Sequence, residues 1–341
     1  MSNKTQIKCV VWDLDNTLWE GILLEDGNVI LKNEVVTIIK ELDSRGILQS
    51  IASKNNYDTA LDKIEEFQLE QYFLYPQINW NSKSSSIKEI VQLLNIGIDS
   101  IAFIDDQSFE RDEVHSEYPE VLCLDVLDLN KILNMEEFIP NFITEDTTQR
   151  RVMYQNEIRR KEIEEKFIGP KAEFLKSLNL KLGISVATEQ DLRRVEELTV
   201  RTHQMNTTGY IYSYDELLNI INDKRYLVLI AGLEDCYGSY GKIGLSVVEI
   251  DDDKWIIKLF LISCRVMSKG VGISFLHYIM NLAYDQNKRI LAEFVETSKN
   301  RIMYMTYKFN GFYEISHKGT DILFEHKIKE KKKFPYYLTI Y

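Results

Sequence analysis

IKCVVWDLDNT, residues 7–17, is the stretch on which the reading of this chain turns. Its first half, Ile7 to Trp12, is a short run that is apolar apart from Lys8, the pattern of a buried strand. Its second half places two carboxylates, Asp13 and Asp15, where such a strand gives way to a loop. Working outward, ILQSIA (47–52), SIAFI (100–104) and VLCL (121–124) are further strand-like runs. Between them lie helical stripes: Val35, Ile38, Ile39 and Leu42 with Gly46 as a stop, then Leu61, Ile64 and Phe67, then Ile87, Ile90, Val91 and Leu94 behind a capping-box pattern at Ser86 and Glu89. Strands alternating with helices predict an α/β fold built on a parallel sheet with helices on both faces. In such sheets a site lies beyond the carboxyl ends of the strands.

Each of those strand ends carries a group that phosphoryl transfer requires. A carboxylate at Asp13 can attack phosphorus and form an aspartyl-phosphate. Asp15, two residues on, can protonate the leaving oxygen and later activate water. Ser53, after the second strand, can hold a phosphate oxygen, and Lys83, just before a helix, can neutralise phosphate and nucleophile. Asp105 and Asp106, after SIAFI, can complete the oxygen shell of Mg²⁺, which takes carboxylates together with water and phosphate and stabilises charge on the group in transit. Singly, each is an ordinary strand-end or surface residue; in this order they form a constellation. The stretches 14–52 and 54–82 are used up by a flap-like hairpin (21–31), helices and strands. They leave no room for a cap domain, so the site is expected to be open.

The ordered set of DxDxT at Asp13–Thr17, then Ser53, Lys83 and an acidic pair, matches the signature of the haloacid-dehalogenase (HAD) superfamily. Read together with VVWDLDNTLWEGIL (10–23), IASKNN (51–56), INWNSK (78–83), FIDDQSFERDEV (103–114), TEDTTQRRVMY (144–154), LISCRVMSKGVG (261–272) and KFNGFYEI (308–315), the chain resembles the FkbH-like family over about 7–316. That resemblance implies a capless HAD Rossmann-like parallel sheet followed by an α+β GNAT-like domain. The implied boundaries are 1–143 for the phosphatase domain, 144–175 for a helical linker, 176–327 for the GNAT-like domain and 328–341 for a charged tail. The implied activity is that of a bifunctional glyceryl transferase/phosphatase. It takes the glyceryl group of 1,3-bisphosphoglycerate, removes phosphate and loads an acyl carrier protein as a thioester for polyketide or related biosynthesis. Carried over, Asp13 is nucleophile and Mg²⁺ ligand, and Asp15 is acid/base with its backbone carbonyl on the metal. Thr17, Ser53, Lys54 and Lys83 bind phosphate, and Asp105 or Asp106 holds Mg²⁺.

In the second half, the loop Met267-Ser-Lys-Gly270-Val-Gly272 precedes a predicted helix. Its two glycines can present backbone N–H groups to the phosphate of a phosphopantetheine arm. Met267 stands where acetyl-CoA-using relatives carry Gln or Arg, which disfavours ordinary acetyl-CoA use. Cys264, at a strand end, is a candidate acyl acceptor whose thiol Arg265 would make more acidic; His203 is a candidate base. Thr202–Tyr210 departs from the family's expected run, which leaves a lactoyl or other short hydroxyacyl group open. Arg150, Arg151, Arg159, Arg160, Lys161 and the Lys-rich tail KIKEKKKF (327–334) are the basic residues on which an acidic carrier protein could dock. Three other readings compete: a plain phosphatase with an inactive second domain, an amine acyltransferase fused to a phosphatase, and a non-catalytic docking module.

Bulk properties narrow the field. At 341 residues the chain exceeds what one hydrophobic core comfortably serves, which predicts two domains. A formal net charge of -12 argues against nucleic-acid binding. The four cysteines show no disulfide or metal spacing, and neither a membrane span nor a signal sequence is evident, so a cytoplasmic setting is expected.

Overall fold

The four residues of β1 (Cys9–Trp12) are all buried, and β1 is the central strand of a five-stranded parallel sheet in the computed structural model, which describes residues 6–341. The chain divides into two units, one up to Glu157 and one from Ile158. The division falls inside a helix that the sequence assigns to a connecting segment.

In the first unit, β2 (Trp19–Glu20) and β3 (Ile30–Leu31) form a short antiparallel pair around the one-turn α1 (Leu23–Asp26), so the expected hairpin is a small flap with a helical tip. Then follow α2 (Asn33–Ser44), β4 (Leu48–Ser53), α3 (Tyr57–Glu66), β5 (Gln77–Ile78), α4 (Lys83–Leu94), β6 (Ile101–Asp105), α5 (Ser108–Glu117) and β7 (Leu122–Asp125). Sheet order is β5-β4-β1-β6-β7 with every pair parallel. No domain is inserted between β1 and β4 or between β4 and β5. Gly46 ends α2 at φ +71, and an added Cβ would lie 2.4 Å from Thr147, so the position requires glycine on two counts. The core gathers Val10, Trp12, Val35, Ile39, Ile64 and Ile104. Trp12 brings an N–H into that core and meets it with Gln49 Oε1 at 2.9 Å; the Gln49 amide then donates to the Ile39 carbonyl at 2.7 Å. A buried polar pair is tolerable only when satisfied in this way.

The third stripe starts earlier than the Ser86–Glu89 pattern predicts. Ser82 is the N-cap, its hydroxyl accepting from Ser85 N–H, and Lys83 is the first helical residue. The unit closes with α6 (Leu129–Ile132), α7 (Glu145–Thr148) and the first turns of α8 (Arg150–Lys166).

The second unit begins in α8 and continues with α9 (Lys171–Ser177), β8 (Leu180–Val186), α10 (Leu192–Arg201), α11 (Tyr214–Asn222), β9 (Tyr226–Asp235), β10 (Gly238–Ile250) and β11 (Lys254–Ile262). Next are α12 (Val271–Asp285), β12 (Arg289–Val295), α13 (Arg301–Phe309), β13 (Tyr313–Lys318), β14 (Asp321–His326) and β15 (Leu338–Ile340). These strands form one mixed sheet, β13-β14-β12-β11-β10-β9-β8-β15. The expected class, a parallel α/β sheet followed by an α+β unit, is the class observed. β11 and β12 pair in parallel only from Lys254↔Arg289 to Ile257↔Ala292 and then separate. Thr207 fills the gap: its N–H and carbonyl bond Phe260 O and Val295 N at 3.1 and 3.0 Å, and its hydroxyl accepts from Phe260 N–H.

The Lys-rich segment that reads as a solvated tail is a strap. Its backbone exchanges two hydrogen bonds with the Asn281 side chain at Lys332, the Lys333 carbonyl meets His277, and Lys331 pairs with Asp285. It leads into β15, which extends the sheet beside β8. The charge run hides this because the strap is held mainly through its backbone.

His326, on β14, is 7% exposed and packs edge-on against Phe312. Burial, aided by Lys332, pushes its pKa down to about 4 from 6.5. The unfolded chain therefore binds a proton that the folded chain refuses. Stability should fall as pH drops from about 6.5 to 4, by about 1–3 kcal/mol. Melting temperatures over that range should flatten in His326→Phe; an unchanged slope would remove His326 as the cause.

No helix among the described residues is long and apolar enough to cross a membrane.

Candidate phosphoryl-transfer site

Three of the parallel strands deliver the central charges to one end of the first sheet. β1 runs into Asp13, β6 ends at Asp105 with Asp106 next, and α4 begins at Lys83 after β5. Lys83 is 4% exposed. Its ammonium donates to Asp13 Oδ1, to Asp105 Oδ2 at 3.0 Å and to the Ala52 carbonyl at 2.8 Å. Burial works against its charge, but the two carboxylates outweigh this and hold its pKa above the ordinary lysine value. Asp13 is in the opposite position. Burial and the Asp105 charge push its pKa up to about 7 despite Lys83. The two shifts are consistent because one lysine is shared by two buried carboxylates. Asp106 is raised as well, by burial and by Asp105. The site is short of positive charge.

A divalent cation meets that shortage. One carboxylate oxygen each from Asp13, Asp105 and Asp106 lies within 4.8 Å of the others. Asp105 already uses both oxygens, on Lys83 and on Gln107 N–H at 2.8 Å, whereas Asp106 Oδ1 is buried with no partner among the described residues. All-oxygen donors of this charge suit Mg²⁺. When bound, the ion supplies neutralising charge at the phosphate. Asp105 is further braced by Arg111, which donates to its carbonyl at 2.6 Å and pairs with Asp125 at 2.5 Å.

Asp15 lies outside the acidic cluster, held by the flap and the β4 loop. Oδ1 accepts from the Trp19 indole N–H at 2.8 Å and from Leu23 N–H at 3.0 Å, and Oδ2 accepts from the Asn55 amide at 3.0 Å. Trp19 and Asn55 fall within the quoted stretches 10–23 and 51–56 but are assigned no role by the sequence reading. Asn55 looks there like any polar loop residue; the one available signal was that a buried tryptophan must place its N–H somewhere.

Ser53 ends β4, is 3% exposed, and has no hydroxyl partner among the described residues. Two further residues expected on phosphate also make contacts within the protein. The Thr17 hydroxyl accepts Asp106 N–H at 3.2 Å, tying the β1 and β6 loops together. Lys54 pairs with Glu110 at 2.7 Å.

In the second unit, the segment after α10 runs antiparallel to the end of β11, with Asn206 opposite Leu261. That brings His203, which is exposed, and Cys264, which is half-buried, to the same end of β11. Burial raises the Cys264 thiol pKa, contrary to the acidification expected from Arg265. The guanidinium instead donates to the Tyr240 carbonyl at 3.2 Å. Gly270 adopts φ +73 at the start of α12, and an added Cβ would lie 2.6 Å from the Tyr337 hydroxyl. Gly272 sits in the first turn of α12. Of the basic residues considered for docking, Arg150 donates to the Gly46 carbonyl, Arg151 pairs with Asp43, and Arg160 is buried against Asp235. Arg159 and Lys161 remain exposed.

A nucleophilic carboxylate, a paired cation, an acidic cation site and an oriented second carboxylate can together transfer a phosphoryl group through an aspartyl intermediate. No family model matches the chain, and no curated protein does. Among solved structures, it is similar to the phosphatase-domain-containing N-terminal part of a Bacteroides fragilis protein complexed with Mg: 30% identity, 45% of this chain and 40% of that chain covered, TM-score 0.33. The chain thus spans less than half the length of that relative. It is also similar to a PaiA N-acetyltransferase from Thermoplasma acidophilum in complex with coenzyme A: 19% identity, 43% and 99% covered, TM-score 0.36. A third similarity is to the ribosomal-protein-S18-alanine N-acetyltransferase of Escherichia coli: 15% identity, 45% and 99% covered, TM-score 0.35.

Proposed function

We propose that the chain is a Mg²⁺-dependent glyceryl transferase/phosphatase that converts 1,3-bisphosphoglycerate into a glyceryl thioester on an acyl carrier protein. The observation that carries the phosphatase half is the convergence of Asp13, Lys83, Asp105 and Asp106, with one cation for three carboxylates. Asp13, Asp105 and Asp106 would hold Mg²⁺; Ser53 and Lys83 would hold phosphate oxygens. The transferase half rests on the family resemblance and on the position of Cys264.

The substrate's own chemistry divides the labour. Hydrolysing the acyl phosphate would discard the activation that transfer requires. The thiol sulfur therefore attacks the C1 carbonyl, the C1–O bond breaks, and phosphate departs with the electron pair. The remaining alkyl phosphate is the group for Asp13: its carboxylate takes the phosphoryl, and Asp15 gives a proton to the alcohol oxygen. Asp15 then takes a proton from the water that releases phosphate.

A second reading is favoured by the raised Cys264 pKa: a phosphatase for another phosphorylated small molecule or acyl phosphate, with an inactive second unit. Intact-protein mass spectrometry separates the two. With Mg²⁺, 1,3-bisphosphoglycerate generated in situ and phosphopantetheinylated carrier, the carrier should gain a glyceryl mass. That gain should be absent with Asp13→Asn, and a covalent glyceryl-enzyme should be absent with Cys264→Ser. Phosphate release with no acylated protein would leave only the second reading.

A further inference from the structure

Asp15, like Asp106, has no cation in contact among the described residues, yet it is fully engaged on one side. A carboxylate oxygen has two lone pairs. Oδ1 spends both, on Trp19 Nε1 and Leu23 N. Oδ2 spends one, on Asn55 Nδ2. The donors are themselves fixed. Trp19 is fully buried in β2 and packs 6.2 Å from the Phe67 ring. Asn55 is 1% exposed, and its Oδ1 accepts Asn56 N–H at 2.9 Å. The flap strand and the β4 loop thus grip the carboxylate from two directions.

We infer that Trp19 and Asn55 are positioning residues which leave Oδ2 as the only oxygen of Asp15 able to carry the proton for the leaving group. The inference rests on the phosphatase reading above and deepens it by naming the substrate class. An oriented acid is needed where the departing oxygen is a poor leaving group, as in a primary alkyl phosphate. It is of little use where the departing group is an acidic phenol or a carboxylate. In the step concerned, Asp13 Oδ bonds phosphorus and the phosphorus–oxygen ester bond breaks. The electron pair stays on the ester oxygen, and the Oδ2 proton moves to it, leaving Asp15 as carboxylate. If Trp19 or Asn55 is lost, Oδ1 gains a vacant lone pair or Oδ2 turns, and the proton is no longer aimed.

The test compares kcat/KM, which reports phosphoenzyme formation, for 3-phosphoglycerate and for 4-nitrophenyl phosphate, with Mg²⁺ and full-length protein. Wild type, Trp19→Phe and Asn55→Leu are measured side by side. General acid catalysis is commonly worth 10²–10⁴-fold, so loss of one guide should lower the alkyl rate by roughly 10–100-fold. The aryl rate should fall by less than about 3-fold, because little proton transfer is demanded there. Trp19 is deep in the core, so Asn55→Leu stands as the second variant if Trp19→Phe does not fold. Equal losses on both substrates, or no loss on the alkyl ester, would overturn the inference while leaving the phosphatase reading intact. A wild type that cleaves neither ester would overturn both.

Discussion

Asp13→Asn should reduce phosphate release from an alkyl phosphate such as 3-phosphoglycerate by roughly four orders of magnitude or more, the scale on which removal of a catalytic nucleophile is felt. The substitution keeps size and shape, and the loss should not come from unfolding. Asp13 is buried, and burial works against its charge. A neutral amide there costs the fold little and leaves Lys83 with Asp105 and the Ala52 carbonyl. What disappears is the attacking oxygen. Phosphate release assayed beside a melting curve separates the cases: activity lost with an unchanged melt is the expected pair. Activity retained would mean that the phosphoryl group bonds elsewhere.

The second large effect is on stability. Lys83→Met removes the one cation that Asp13 and Asp105 share inside the site. Breaking a buried ion pair from one side costs about 3–5 kcal/mol, because the abandoned charge has no compensation. The loss should depend on pH in a definite direction. Asp13 already has a folded-state pKa raised by burial and by Asp105, and without Lys83 it rises further. A carboxyl with a raised folded pKa is stabilising while protonated and loses that contribution as pH climbs through the folded value. The variant should therefore melt closer to wild type at pH 5 than at pH 8. Mg²⁺ should restore part of the deficit at pH 8, because the ion supplies the missing positive charge. A deficit that ignores both pH and Mg²⁺ would mean that Lys83 serves packing rather than charge.

The central strand was legible because a strand buried on both faces must be apolar throughout, and Cys9–Trp12 is. Asp13, Lys83, Asp105 and Asp106 were legible because a parallel sheet sends its strand ends to one edge, so a chemically related series at those ends meets in space. Strands of two or three residues, β5 and β15, carry too little pattern to be seen. Thr17 and Lys54 show a different limit. A hydroxyl or an ammonium looks the same in sequence whatever else it contacts, and the contacts of Thr17 with Asp106 N–H and of Lys54 with Glu110 carry no sequence signal. The grip on Asp15 was hidden for a related reason: residues 15, 19 and 23 are four apart but lie in a loop, a strand and a one-turn helix rather than on one helix, and residue 55 comes from a distant loop.

The most direct test is a single-turnover reaction of the enzyme with Mg²⁺ and 1,3-bisphosphoglycerate, quenched in acid and followed by peptide mapping. A phosphoryl group on the peptide containing Asp13, absent from Asp13→Asn, is the predicted result. Loss of the C3 phosphate at an undiminished rate in Asp13→Asn, or a phosphoryl group mapped to another residue, would contradict it.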